Sequence, residues 1–164
     1  MKSRPLLYLF SMSIIVPSPT SASPPHSDLP PINVQGEMKA NACLPEERES
    51  VRAELPEGSA DLVETLLCAK KTEASKNYLL RHMSKFINRT WMDENYVERT
   101  QRVKADAALA ERLLSAGEAW DVSVEISANR VIITYMPNEA CISDRELVRK
   151  KGRWMITAIG SACD

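Results

Sequence analysis

The chain has 164 residues, 44% hydrophobic and 26% charged, with a formal charge of −1. That size and balance suit one soluble globular domain and exclude wholesale disorder, a collagen-like or coiled-coil rod, and a nucleic-acid binder of high net charge. Six of the ten prolines lie between Pro17 and Pro31, so the N-terminal stretch differs in kind from the rest of the chain.

Residues 1–22 read as a secretory signal peptide. Lys2 and Arg4 supply the positive start, and Leu6–Val16 is an uncharged, mostly apolar stretch. It is shorter than the roughly 20 residues that cross a bilayer, and it has the size of a signal's apolar segment. Pro17 breaks it, and Thr20, Ser21 and Ala22 offer small residues for cleavage after Ala22. Removing Lys2 and Arg4 leaves 19 basic against 22 acidic residues, a charge of −3. No second apolar run approaches a membrane span, so the expectation is a periplasmic or secreted product with no stable membrane anchor after cleavage. Residues 23–41 form a proline-rich leader with two Pro-Pro pairs, which favour extended backbone. His26 reads as a solvated residue within it. The expected single domain is 42–164.

From Leu44 the pattern is helical. Pro45 suits a first helical position, Leu44, Arg48, Val51 and Leu55 share a face, and Pro56-Glu57-Gly58 stops the run. Ser59 is placed to cap a second helix with Leu62, Val63, Leu66 and Leu67 on its apolar face. Thr72 is placed to cap a third, with a stripe through Tyr78, Leu79, Met83, Phe86 and Ile87. Asn88-Arg89-Thr90 ends it and fits an N-glycosylation sequon in a eukaryotic source. Asp93 is placed to cap the longest helix, running to Ala116 before Gly117, with Tyr96, Val103, Ala107, Ala110 and Leu114 buried.

The last third reads as β. Val122, Val124 and Ile126 alternate with polar residues, Ala128-Asn129 is a tight turn, and Arg130–Met136 is apolar on both faces, as a covered strand is. Cys141–Arg149 and Arg153–Ser161 pair around Lys150-Lys151-Gly152. The expected fold class is α+β, with three or four N-terminal helices packed on a curved four-stranded antiparallel sheet.

Cys43, Cys68, Cys141 and Cys163 all survive cleavage, and four cysteines on an exported chain predict two disulfides. The favoured pairs are Cys43–Cys68 and Cys141–Cys163. If residue 149 faces 153, Cys141 faces 161, and one bulge or a bend at the chain end brings Cys163 into place. Each bridge closes a loop worth about 3 kcal/mol in the chain-entropy model. The spacing does not suit zinc, and no cofactor is expected.

The hairpin RELVRKKGRWMITAIG, spanning Arg145 to Gly160 after helices and a meander, resembles the nuclear-transport-factor-two-like (cystatin-like, cone-shaped) superfamily. The resemblance is closest over residues 145–159 and looser over 93–160. It implies a curved sheet wrapped by helices around a cone-shaped pocket. The superfamily includes isomerases, dehydratases, ligand binders, secretion-system components and immunity proteins, so it restrains fold more than function. By this resemblance an enzyme would place an acid, histidine or tyrosine in the cone, and Asp121, Tyr135, Asp144, Glu146, His82 and Tyr96 are the candidates. None forms a recognised catalytic motif. Asp144 and Glu146 share one strand face about 7 Å apart, a spacing that suits acid–base work and also an ordinary solvated face.

Charge is uneven. Seven acidic and two basic residues lie in Glu46–Glu64, whereas Arg145, Arg149, Lys150, Lys151 and Arg153 oppose only Glu146 in Arg145–Arg153. Charged turns commonly protect sheet edges, and the same five cations also suit a charged protein partner. The expected function is therefore an exported, non-catalytic protein-binding domain, of immunity type or accessory to an envelope complex. The alternative is a small enzyme or ligand binder using a cone-shaped pocket. Catalytic and metal-binding residues are not assigned.

Intact-mass measurement of the exported product tests the first reading. The expected mature N-terminus is Ser23, and a product that keeps residues 1–22 would overturn it.

Overall fold

The computed structural model describes residues 41–163. The expected signal peptide and the leader as far as residue 40 lie outside them.

Three helices come first. Pro45 opens α1 (Pro45–Glu54), where its missing N–H has no helical partner to lose. Val51 is buried and Leu55 half-buried, but Leu44 is 54% exposed, so the buried face is narrower than the sequence suggested. In α2 (Ala60–Cys68) the expected stripe is complete: Leu62, Val63, Leu66 and Leu67 are all buried. Ser59 does not cap it, because its hydroxyl donates to the carbonyl of Pro56 instead. Thr72 does cap α3 (Glu73–His82), accepting from the Ser75 N–H. Arg48 and Arg52 clip α1 to α2 through Glu64 and Asp61. The Cys43–Cys68 disulfide ties the start of α1 to the end of α2.

The expected third helix stops at His82 rather than running on through Ile87, and the expected long helix over residues 93–116 is absent. The chain instead forms β1 (Met83–Met92), β2 (Glu98–Lys104) and the short α4 (Ala107–Leu113). Two features explain this. Phe86, Ile87, Thr90 and Trp91 favour a pleated surface, and β1 finds partners on both edges. The run from Glu98 to Arg102 holds no apolar side chain, so a helix there would have had nothing to bury. Asp93 builds the β1–β2 turn: its carboxylate accepts from the N–H groups of Asn95 and Val97 and from Arg99. Tyr96, expected in a core, is 76% exposed on that turn. Asp106 caps α4 through the Leu109 N–H.

The meander comes next: β3 (Trp120–Ser127), β4 (Arg130–Asn138), β5 (Cys141–Lys150) and β6 (Arg153–Cys163). The fold class is α+β, but the sheet has six strands rather than four, in the order β2-β1-β6-β5-β4-β3. It is mixed, because β1 lies parallel to β6 while every other pair is antiparallel. Alternation along β4 and β5 buries Val131, Ile133, Tyr135, Arg145 and Leu147 on the helix-covered face. Trp154 is buried too, and its indole N–H donates to the Glu57 carbonyl, fastening β6 to the loop between α1 and α2.

The β5–β6 hairpin turns on Lys151 and Gly152, both at positive φ, so Lys150 faces Arg153. Pairing continues to Leu147 opposite Ile156, and then Glu146 faces Ala158. Thr157 is the extra residue of a bulge, and its hydroxyl donates to the Glu146 carboxylate at 2.7 Å. With that one-residue shift Cys141 comes opposite Cys163, and the two are bridged.

Beyond the bulge, Gly160 packs under the Asp144 side chain, where an added Cβ would collide with the carboxylate. Gly160→Ala is expected to lower stability in urea unfolding by about 1–3 kcal/mol, as overpacking does. Adding Asp144→Ala should restore most of the loss, and a double variant as weak as the single one would show that the strain lies elsewhere.

Candidate functional site

Strand pairing builds the site. On the helix-covered face, Arg89 of β1, Ile159 of β6, Arg145 of β5 and Ile133 of β4 lie in one cross-strand row. The next row holds Trp91, Ser161, Ser143 and Tyr135. Leu109 and Leu113 of α4 stand over these rows, together with Arg112 from the last turn of that helix. Between α4 and the sheet is a cavity of about 160 Å³.

Arg145 lines this cavity and is 7% exposed. The sequence reading counted it with Arg149, Lys150, Lys151 and Arg153 at the hairpin tip. The structure corrects that: strand alternation turns Arg145 inward beside Leu147, while the other four are exposed around the turn. Its Nη1 donates to the carbonyls of Asp144, at 2.7 Å, and Gly160, at 3.2 Å. Nη2 donates to the Tyr135 hydroxyl at 2.7 Å, and the guanidinium lies over the Tyr135 ring. Among the described residues the buried Nε–H has no acceptor. Burial pushes the Arg145 pKa down, against the pull of Tyr135 and Asp144. Even so, an arginine stays protonated, so a full positive charge sits inside the fold.

No ion pair neutralises that charge among the described residues. Arg89 and Arg112, both exposed, line the same cavity, and neither of them is ion-paired within the described residues. Ser161 adds a hydroxyl, and among the described residues no carboxylate lines the cavity. A larger hollow of about 370 Å³ between α1 and α2 is different in kind. There Arg48 and Arg52 are already paired with Glu64 and Asp61, so its charges balance without a ligand.

The chain is similar to solved structures described as NTF2-like and as DUF4783 family proteins. One is an NTF-2 like protein of unknown function from Silicibacter pomeroyi DSS-3, at 14% identity and a TM-score of 0.42, covering 74% of this chain and 100% of that one. Another is a DUF4783 family protein from Bacteroides ovatus ATCC 8483, at 14% identity and a TM-score of 0.40, covering 68% of this chain and 96% of that one. An NTF2-like protein of unknown function from Shewanella baltica OS155 shares 8% identity at a TM-score of 0.32, covering 49% and 71% of the two chains. No protein-family model matches the chain, and no curated protein matches it in sequence.

The structure scatters the other candidates. Tyr135 is buried at the site as the partner of Arg145. Asp121, at positive φ, falls within the β3 irregularity. The His82 Nδ1 is 2.9 Å from the Tyr78 carbonyl, and Tyr96 stands in solvent. Asp144 and Glu146 point to the opposite face of the sheet, outside the cavity. Arg89 and Arg112 were missed because the sequence reading placed them at a helix end and inside the long helix. The signal for Arg145 was its inward parity with Leu147.

The two acids on the outer face respond oppositely to their surroundings. Burial raises the Asp144 pKa, the Glu146 charge adds to this, and Arg145 opposes it. Burial also pushes Glu146 up, but hydrogen bonds from Thr157 and Arg130 prevail and hold it below its ordinary value. A raised carboxyl pKa favours folding below its ordinary value of 3.8, and that advantage is lost as pH rises through the folded pKa. Asp144→Asn is therefore expected to raise the melting temperature at pH 7, with the difference closing toward about pH 3. Thermal denaturation at both pH values checks this, and no gain at pH 7 would contradict it.

Proposed function

We propose that this domain binds a small anionic ligand in the cavity between α4 and the β1–β6–β5 rows. One observation carries the reading: Arg145 is buried, charged and, among the described residues, unopposed by any carboxylate in the cavity it lines. Taking an ion out of water costs several kcal/mol, and natural folds recover that cost with a counter-charge. Here the counter-charge is supplied by the ligand. Arg89 and Arg112 add to the positive potential, and their exposure gives an anion a path inward. This is the ligand-binding alternative of the sequence reading, without a catalytic assignment. Two disulfides fit a periplasmic or extracellular location. No helix among the described residues is long and apolar enough to cross a membrane.

Differential scanning calorimetry of the mature chain with millimolar phosphate or benzoate, against chloride at equal ionic strength, tests the reading. At least one of the two anions should raise the melting temperature, and Arg145→Met should abolish that rise. The unliganded variant should stay folded, because losing an uncompensated charge offsets the loss of three hydrogen bonds. A wild-type protein indifferent to both anions would sink the proposal.

The exposed hairpin tip supports a second reading, an exported accessory or immunity-type protein that docks an acidic protein partner. Arg149, Lys150, Lys151 and Arg153 crowd the turn, and Arg153 donates to the carbonyl of Arg81, which adds another exposed cation. With a partner captured from envelope extract, Lys150→Glu with Lys151→Glu should slow association about tenfold at low salt. Association insensitive to both the charge reversal and salt would place the interface elsewhere.

A further inference from the structure

The cavity constrains its ligand more closely than charge alone does. Its lining divides into two kinds of surface. Arg89, Arg112 and Arg145 are cationic, whereas Leu109, Leu113 and Ile159 are branched aliphatic groups. Leu109, Leu113 and Ile159 are themselves buried, so the apolar part is well packed. An inorganic anion, hydrated on every side, would satisfy the arginines but leave the aliphatic wall against water. A neutral apolar molecule would fill the wall and leave Arg145 uncompensated. A molecule with one anionic group and a compact apolar body serves both.

Size narrows this further. The volume is about 160 Å³. A buried apolar cavity of about 150 Å³ accepts one benzene ring. The hollow here is half-open, and a body of one six-membered ring or a short branched chain fits within that volume. A carboxylate matches the planar fork that an arginine presents, and the exposed Arg89 and Arg112 leave such forks available at the opening.

We infer that the ligand is a small organic carboxylate whose apolar part is about the size of a single ring. This rests on the anion-binding reading above and goes beyond it by naming the ligand class. The apolar body lies against Leu109, Leu113 and Ile159, and the carboxylate faces the arginines. Neither acid of the outer face lines the cavity.

Isothermal titration of the mature full chain with three probes tests the inference: benzoate, benzyl alcohol and inorganic phosphate. Benzoate should bind at least tenfold more tightly than phosphate, and benzyl alcohol should show no measurable binding. Arg112→Gln and Arg89→Gln, both at exposed positions, should each weaken benzoate severalfold while leaving the melting temperature of the free protein unchanged. Phosphate binding as tightly as benzoate would overturn the carboxylate inference and leave the anion reading standing. Benzyl alcohol binding as well as benzoate would show an apolar pocket indifferent to charge and overturn both. Binding of none of the three would also overturn both.

Discussion

A single extra residue in β6 sets the geometry on which the site depends. Strand residues alternate between faces, so inserting one residue exchanges the faces of everything beyond it. Before Thr157, Trp154 and Ile156 point into the core; after it, Ile159 does. The exchange places Ile159 in the Arg145 row, sets Ser161 opposite Ser143, and leaves Gly160 on the outer face beneath Asp144. The Thr157 hydroxyl holds the bulge to Glu146, whose carboxylate is also held by Arg130 from β4. Three strands are thus locked at the point where register changes. Without that shift Cys141 and Cys163 would not be opposite each other.

The cost of burying Arg145 is what makes the cavity informative. The neighbouring core is aliphatic: Ile133, Leu147 and Ile156 are fully buried within the same sheet. A leucine at position 145 would have continued that core at lower cost, since well-packed apolar groups commonly match or exceed buried ions in stability. The fold instead anchors the guanidinium by two backbone carbonyls and one phenol, which fix its orientation without cancelling its charge. Among the described residues no carboxylate of the cavity supplies this oriented cation with a counter-ion. The ion pairs between α1 and α2 do the reverse. They are exposed, mutually satisfied and worth little individually, and they serve to hold two short helices together.

The two disulfides act at opposite ends of this design. Cys43–Cys68 secures the helical layer, whose α1 buries only Val51 and has little core of its own. Cys141–Cys163 pins the open ends of β5 and β6, one row beyond Ser143 and Ser161. Each loop is short enough that its closure removes about 3 kcal/mol of unfolded-state entropy. Between these braces, Trp154 links the sheet to the α1–α2 loop through Glu57. The arginine-lined cavity is therefore framed by elements fixed both covalently and by packing.

Much of this was legible in the sequence, and where it was not the reason is specific. The α2 stripe, the Thr72 cap, the β3–β6 meander and both disulfide pairings come from local periodicity, capping chemistry and cysteine arithmetic, all of which act within about thirty residues. The β1–β2 hairpin was hidden because its stabilisation is not local. β1 is a strand by virtue of β6, which lies about seventy residues later and pairs with it in parallel. The apolar residues of 93–116 fit helical spacing equally well, and only the pairing decides between the two. The site shows the same division. Arg145 carried its inward parity in the sequence, but its charge read as part of a basic turn. Arg89, Arg112 and Arg145 lie more than twenty residues apart on three elements, and only the register of the assembled sheet and the position of α4 bring them to one cavity.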